Sequence, residues 1–303
     1  MGSISSKSEI KQRATSYFEK NLDFNQIDKF QVKSINELLK EEYELIPDKE
    51  RIGKGRVYLI KIIAKTLYQL IKSKFPKMNS DETQGHEFLI NILKLIKNCN
   101  NINDKNISIF AIHLTSNLVL DYFDDAISLV ENWIDNEDWE IRENSVYPIL
   151  SGLKTNREKT IEFLRKWIKS ENPNFRRFVA ESLRPRAEIK WLRDPTQNDE
   201  ILKILTELNH DNSIYVRKSV GNNLKDLSKY MPEKILTLIE EWLNEKEKLN
   251  EKEQKNLIWT IYQALRWLKD KNPKYHKWIE KLVGKNYLLY FDEKRNRNAI
   301  PRK

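Results

Sequence analysis

Three stretches in the middle of the chain superpose without a gap: WIDNEDWEIRENSVYPIL from Trp133, WIKSENPNFRRFVAESL from Trp167 and LNHDNSIYVRKSVGNNL from Leu208. Nine positions after each anchor stands an arginine, Arg142, Arg176 or Arg217, preceded by Ile141, Phe175 or Val216 and followed seven positions later by Ile149, Leu183 or Leu224. The anchors lie 34 and 41 residues apart, and Trp242 opens a looser fourth copy that runs into NLIWTIYQALRWLKD. Repetition at this period constrains a fold more than any composition does, because each copy must then be one supersecondary unit stacked on its neighbours. Only seven glycines occur in 303 residues, and Leu, Ile, Lys, Glu and Trp recur at three- and four-residue spacing. That is the pattern of helices.

Each unit reads as a helix, a short polar turn carrying Asn, Asp or Ser as caps, and a second helix. Such HEAT-like units cannot bury their apolar faces alone, so the expected fold is an all-α solenoid with the second helices along a concave groove. One domain is expected over residues 1–303, with N-terminal helices at 1–125, groove-bearing repeats at 126–284 and a basic tail at 285–303. An arginine present in every repeat serves the stack, so Arg142, Arg176 and Arg217 are expected to bridge neighbouring repeats rather than touch a ligand.

The charge is uneven. The chain carries 54 Lys and Arg against 45 Asp and Glu, for a net +9, and two segments hold the excess. Arg51 to Ser80 has eight basic residues and no acid, while Lys271 to Lys303 has ten basic against three acidic. Two basic ends suit a polyanion gripped at both, and DNA or RNA is the usual one; a solvated face that aids solubility is the alternative. The single cysteine, Cys99, excludes an intramolecular disulfide. No apolar run reaches the ~18 residues needed to span a bilayer, and the N-terminus lacks the apolar core of a secretory signal. A cytoplasmic monomer, neither exported nor membrane-bound, is expected. The opening MGSISS fits the myristoylation pattern, which is too short to carry an assignment. The four histidines are scattered without metal-ligand spacing, no Gly-rich phosphate loop or His-Glu-x-x-His occurs, and no metal or cofactor is implied.

Positions ten, fourteen and eighteen after each anchor share one helix face. They read Glu143, Tyr147, Ser151; Arg177, Glu181, Pro185; Lys218, Asn222, Asp226; and, by aligning Leu265 with Leu224, Trp259, Gln263, Trp267. A purely structural helix needs neither the charges nor the aromatics, although Arg177 and Glu181 also fit an ordinary surface ion pair and the two tryptophans also fit the core.

FRRFVAESLRPR, then Trp191, then DNSIYVRKSVGNNLKDLSKYMPE resembles the pattern Val-Arg-Arg-x-x-Ser-Glu-Gly-x-Arg-Pro-Arg, Trp, and Tyr-Val-Arg-Arg-Ser-Val-Ala-Asn-x-Leu-Asn-Asp-Ile-x-Lys of the HEAT-like alkylpurine DNA glycosylases, the AlkC/AlkD type of DNA alkylation repair protein. QALRWL resembles the same family's His-Ala-Leu-Arg-x-Leu, and the similarity covers about Trp133 to Lys269. The resemblance implies a solenoid that binds duplex DNA and excises N3- or N7-alkylated purines, with the base left stacked. It puts the groove acid on Glu181, the preceding arginine on Arg177, the tryptophan on Trp191 and the second acid on Asp226. An earlier Trp-x-x-x-Asp element is matched loosely by Trp139 and Glu143, and an aromatic by Tyr215. Ser182 stands for the family's Gly and Lys225 for its Asn, and Trp191 sits two residues farther along.

An alkylated purine of this kind is cationic and leaves readily, so the remaining task is to stabilise a sugar cation. Carboxylates do this and can orient the attacking water, which assigns Glu181, Asp226 and Glu143 to catalysis. Aromatic faces attract the charged base or sugar, and Arg177, Arg184 and Arg186 would hold phosphates. Trp139, Trp191, Tyr215, Lys218, Asn222 and Trp259 complete the expected DNA-binding set. The alternatives are a HEAT-like solenoid that binds DNA without breaking a bond and a protein-binding scaffold.

Overall fold

The computed structural model describes residues 6–75, 82–285 and 287. The expected basic tail after 287, the start of MGSISS and the end of the Arg51–Ser80 segment lie outside the described residues. The chain divides into two compact units, Met1–Thr160 and Ile161–Lys303. Among the described residues every regular element is a helix, and the fold is the expected all-α, HEAT-like solenoid.

The first unit contains α1 (Lys7–Asn21), α2 (Ile35–Glu44), α3 (Arg56–Lys74), α4 (Glu82–Asn100), α5 (Lys105–Asp121), α6 (Phe123–Ala126), α7 (Glu131–Ile134), α8 (Trp139–Asn144) and α9 (Val146–Thr155). Helix α1 packs on α3, α3 on α5 and α5 on α9, while α4 backs α5. Being enclosed on several sides, α5 is apolar nearly all round: Ile107, Ile109, Phe110, Ile112, Leu114 and Leu118 are all buried. The second helix of the first repeat is broken at Ser145. Pro148 accounts for the break, since it lacks the N–H that would bond the carbonyl of Asn144 and its ring crowds that turn.

Helix α10 (Arg157–Arg165) carries the chain into the second unit, which holds α11 (Pro173–Ser182), α12 (Asp199–Glu207), α13 (Ile214–Leu227), α14 (Pro232–Asn244), α15 (Glu251–Lys271) and α16 (His276–Val283). Here the second helices of successive repeats stack as α11 on α13 and α13 on α15. The residues seven positions beyond the repeat arginines, Ile149, Leu183 and Leu224, are each fully buried. First helices are tied to one another by indole N–H groups: Trp133 donates to Asn100 Oδ1 (3.2 Å) and Trp242 to Thr206 Oγ1 (2.9 Å).

The recurrent arginines do the same work in all three copies. Arg142 Nη1 donates to the carbonyls of Asn136 and Glu137, Arg176 Nη1 to those of Ser170 and Glu171, and Arg217 Nη1 to those of Asp211 and Asn212. Each guanidinium therefore closes the turn between the two helices of its own repeat, whose carbonyls no helix ladder satisfies. The side chain at the head of each turn, Asn136, Ser170 or Asp211, accepts the backbone N–H two residues on. Bridging between repeats, the role read from sequence, is added by Arg176, which grips Asp211 with Nε at 2.6 Å and Nη2 at 2.9 Å, and by Arg217, whose guanidinium lies 5.4 Å over the Trp259 ring of α15. With Leu265 aligned to Leu224, the fourth copy has Ile258 where the arginine would fall, and α15 starts on a capping box between Asn250 and Glu253.

Helices α13 and α15 approach closely at Gly221, where a Cβ would lie 2.5 Å from Gln263 Cβ and 3.3 Å from the carbonyl of Thr260. Gly221→Ala is expected to destabilise the protein by about 1–3 kcal/mol through overpacking, measured as a lower midpoint in chemical denaturation at unchanged slope.

Candidate nucleic-acid interface

Helix α11 begins at Asn172, whose side chain accepts the N–H of Asn174, with Pro173 at its first position. It stops before Arg184 because the residue preceding Pro185 is disfavoured from continuing a helix. Arg177 and Glu181 thus sit one turn apart at the end of α11, and Arg184 swings free of the helix. On α13, Tyr215, Ser219, Asn223 and Asp226 follow at three- and four-residue steps and share one face. That face meets the end of α11.

The contacts are specific. Ser219 Oγ donates to Glu181 Oε1 at 2.7 Å, and Asn223 Nδ2 donates to the carbonyl of Ala180 at 3.0 Å. Arg177 Nη2 lies 3.8 Å from Glu181 Oε1, and its guanidinium stacks 4.3 Å over the Tyr215 ring. Arg184 joins the two acids: Nη1 reaches Glu181 Oε2 at 3.2 Å and Nη2 reaches Asp226 Oδ2 at 2.6 Å. Lys229 and Lys225 hold the other Asp226 oxygen at 2.8 and 3.2 Å. Glu181 and Arg177 are buried, at 4% and 7% exposure, so this is not the surface pair that sequence also allowed. At such depth an ion pair is costly unless its members are also well hydrogen-bonded.

Burial opposes the charge on Asp226, but hydrogen bonds from Lys229 and Arg184 and the nearby Lys225 outweigh it and hold the carboxyl down to about 2. Burial likewise opposes the charge on Arg184, and Glu181 and Asp226 overcome it and raise its pKa. The site is a compact alternation of sign, with two carboxylates separated by one guanidinium and flanked by further cations.

Of the expected residues, Glu181, Asp226, Arg177, Arg184 and Tyr215 come together here. Arg177 and Arg184, expected to face phosphate, lie against carboxylates within their reach. Arg186 is half-buried, and its Nε has no protein acceptor. Lys218 is exposed on α13; Asn222 accepts from Arg266 Nη2 at 2.6 Å. Trp259 on α15 is half-buried under the guanidinium of Arg217, at 5.4 Å. Trp191 is half-buried in the short 3-10 turn Lys190–Arg193. Trp139, 64% exposed, and half-buried Glu143 belong to the first unit. Ser182, where the family pattern has Gly, is fully buried with its Oγ unpartnered in the protein.

Sequence reasoning missed Ser219, Asn223 and Arg266, although all three lie inside the quoted motifs. The signal was the four-residue step from Tyr215 through Ser219 to Asn223. Burial also pushes the Cys99 thiol up to about 12, which leaves no thiolate for chemistry at neutral pH. Among the described residues, no cluster of three or more His, Cys, Asp or Glu could hold a metal ion, and no helix is long and apolar enough to cross a membrane.

A family model described as DNA alkylation repair enzyme matches residues 65–268, more than half of the chain. The chain belongs to that family. Glu181, Asp226 and the cations around them all fall within the segment that matches the repair enzymes. Over 102 residues the chain is 34% identical to the uncharacterized protein YhaZ of Bacillus subtilis (strain 168), a match covering 32% of this chain and 28% of YhaZ; the aligned part is thus under a third of that curated relative. The solved structure of the Pseudomonas fluorescens alkylpurine DNA glycosylase AlkC, bound to DNA containing an abasic site analog, superposes with a TM-score of 0.53 at 22% identity, covering 91% of this chain and 67% of that one. AlkD2 from Streptococcus mutans gives 0.48 at 22% identity, covering 67% of this chain and 98% of AlkD2. The AlkC likeness establishes a shared helical fold.

The lowered Asp226 pKa sets a pH dependence of stability. Its contribution is complete above the unfolded-state value near about 4 and is lost as pH falls through the folded value of about 2. The stability difference between wild type and Asp226→Asn is therefore expected to shrink steadily from pH 5 to pH 2, followed by urea denaturation across that range.

Proposed function

We propose that this repair-family protein is a DNA glycosylase that hydrolyses the N-glycosidic bond of cationic N3- or N7-alkylated purines in duplex DNA. What supports the reading is the pairing of Glu181 and Asp226, two acids from neighbouring repeats that meet at a single guanidinium. Structural helices do not need two charged carboxylates kept this close, whereas a sugar that becomes cationic does.

In the reaction, the C1′–N bond breaks, and its electron pair leaves with the purine and neutralises it. Positive charge develops on the sugar, and a water oxygen bonds to C1′ while its proton passes to a carboxylate. The products are a free base and an abasic site. One acid lies beside the developing cation and the other orients the water, a division of electrostatic and general-base work suited to charged groups already fixed in place. Tyr215 supplies a ring face to a cation. Phosphates near the lesion compete with the acids for Arg184 and Arg177, so binding DNA turns the carboxylates from ion-pair partners into groups available to the sugar. Selectivity for cationic lesions follows, because a neutral purine is a poor leaving group.

One observation favours a second reading: each acid is fully engaged in the free protein, as a purely structural tie between α11 and α13 would be. Single-turnover excision of 7-methylguanine and 3-methyladenine from duplex DNA separates the two. Glu181→Gln and Asp226→Asn are expected to slow base release about a hundredfold or more, with DNA affinity held or raised. Arg177→Ala is expected to weaken binding first. Equal excision rates for folded wild type and variants overturn the assignment of the acids, and a wild type that binds duplex without releasing either base makes the protein a non-catalytic DNA binder.

Affinity for duplex is expected to fall steeply with salt and equally for all sequences when Asp292 to Lys303 is removed, as measured by fluorescence anisotropy. Indifference to salt contradicts the role of the basic segments.

A further inference from the structure

The turn Arg51-Ile52-Gly53-Lys54-Gly55-Arg56, ahead of α3, is not used by the site described above. Ile52 is 98% exposed, far beyond Trp139 at 64% or Ile214 at 58% among the other exposed large apolar side chains. A lone apolar side chain on a surface is commonplace, but this one is presented by an ordered support. Gly53 and Lys54 donate their N–H groups to the carbonyl of Glu50 at 3.0 and 2.9 Å, and Arg51 donates its own to Asp48 at 3.2 Å. Arg51 Nε reaches back to the carbonyl of Ile46 at 3.1 Å, and its guanidinium stacks 4.7 Å over the Tyr43 ring.

The flanking glycines are not demanded by the protein itself. Neither has positive φ. A Cβ on Gly53 would meet nothing nearer than the Glu50 carbonyl at 4.0 Å, and one on Gly55 nothing nearer than the Arg51 carbonyl at 3.6 Å. Gly221, by contrast, is required by packing. Glycines with open space beside them suit the close approach of a backbone that is not part of this chain.

Charge identifies the visitor. Segment 48–56 holds Lys49, Arg51, Lys54 and Arg56 against Asp48 and Glu50, and no acid follows until residue 81. Lys54 pairs with Glu50 at 2.6 Å and Arg56 with Glu140 at 2.7 Å. Both pairs are partly exposed to water, where ion pairs contribute little, so phosphates can compete for the cations. A cavity of about 630 Å³ beside the turn is lined by Tyr43, Tyr58, Gly53, Gly55, Lys40 and Arg56, which adds aromatic rings and further cations.

We propose that this turn is a second DNA contact, with Ile52 as an apolar wedge entering the minor groove between base steps and Lys54 and Arg56 on the adjoining phosphates. Minor-groove proteins insert single aliphatic side chains in this way, partly unstacking a step. A membrane surface fits less well, since one isoleucine buries too little apolar area to hold a protein on lipid. The inference rests on the DNA-binding reading of the preceding section.

The test uses the full chain and a duplex carrying 2-aminopurine, with anisotropy for affinity and 2-aminopurine fluorescence for unstacking. Wild type is expected to raise the fluorescence on binding. Ile52→Ser is expected to abolish that rise and to weaken binding about tenfold, the effect of losing one buried aliphatic side chain; Ile52→Leu is expected to keep both. Gly53→Ala is expected to weaken binding without lowering the Tm, because the new methyl group meets only the Glu50 carbonyl, at an ordinary contact distance of 4.0 Å. The proposal is overturned if Ile52→Ser matches wild type in affinity and fluorescence, or if Ile52 governs flotation with phosphatidylglycerol vesicles while leaving DNA binding unchanged. A wild type that binds no duplex at all removes the DNA-binding reading itself, a different result from a wild type and a variant that bind equally.

Discussion

A guanidinium closed over two backbone carbonyls of its own turn recurs in three successive repeats, through Arg142, Arg176 and Arg217. Much else follows from it. A helix pair leaves carbonyls at the end of its first helix without partners, and a floppy turn would let the two helices scissor. With the angle pinned, the apolar faces of consecutive pairs can stack in a constant register, and Ile149, Leu183 and Leu224 fall into the same fully buried position. Arginine suits this better than lysine, since its planar fork reaches adjacent carbonyls at once.

The same residue type does different work at Arg184, which follows the end of α11 instead of the turn before a second helix. Its two nitrogens are divided between Glu181 and Asp226, and Ser219 and Asn223 on α13 lock the end of α11 from the other side. Glu181 is thus held by a hydroxyl and two guanidinium groups, and Asp226 by a guanidinium and two ammonium groups. In a medium where unpaired charge is costly, this mutual dependence holds both side chains in place. It also makes them responsive, because any phosphate that draws Arg184 away alters both carboxylates together.

The proposed chemistry is consistent with that economy. A cationic base leaves with little assistance, so fixed negative charge near the sugar is what the protein must contribute. The surrounding cations serve the anionic backbone. Both signs are needed within a few ångströms, and the folded protein balances them against each other.

Much of this was legible in the sequence. The gapless alignment located helix pairs, their capping residues and the buried leucine and isoleucine positions, because 3.6-residue periodicity reports burial directly. It placed Glu181 and Asp226 on neighbouring second helices, and the two motif blocks pointed to the repair family. Tertiary structure decided what the charged groups touch. Arg177 and Arg184 read as phosphate ligands in sequence, and the packing of α11 against α13 also sets them against carboxylates. Arg142, Arg176 and Arg217 read as bridges between repeats, and each also closes the turn of its own repeat. Periodicity tells which way a side chain leaves its helix, but a long flexible arginine chooses among all acceptors within its reach. Only the packing of one helix against the next determines which acceptors those are.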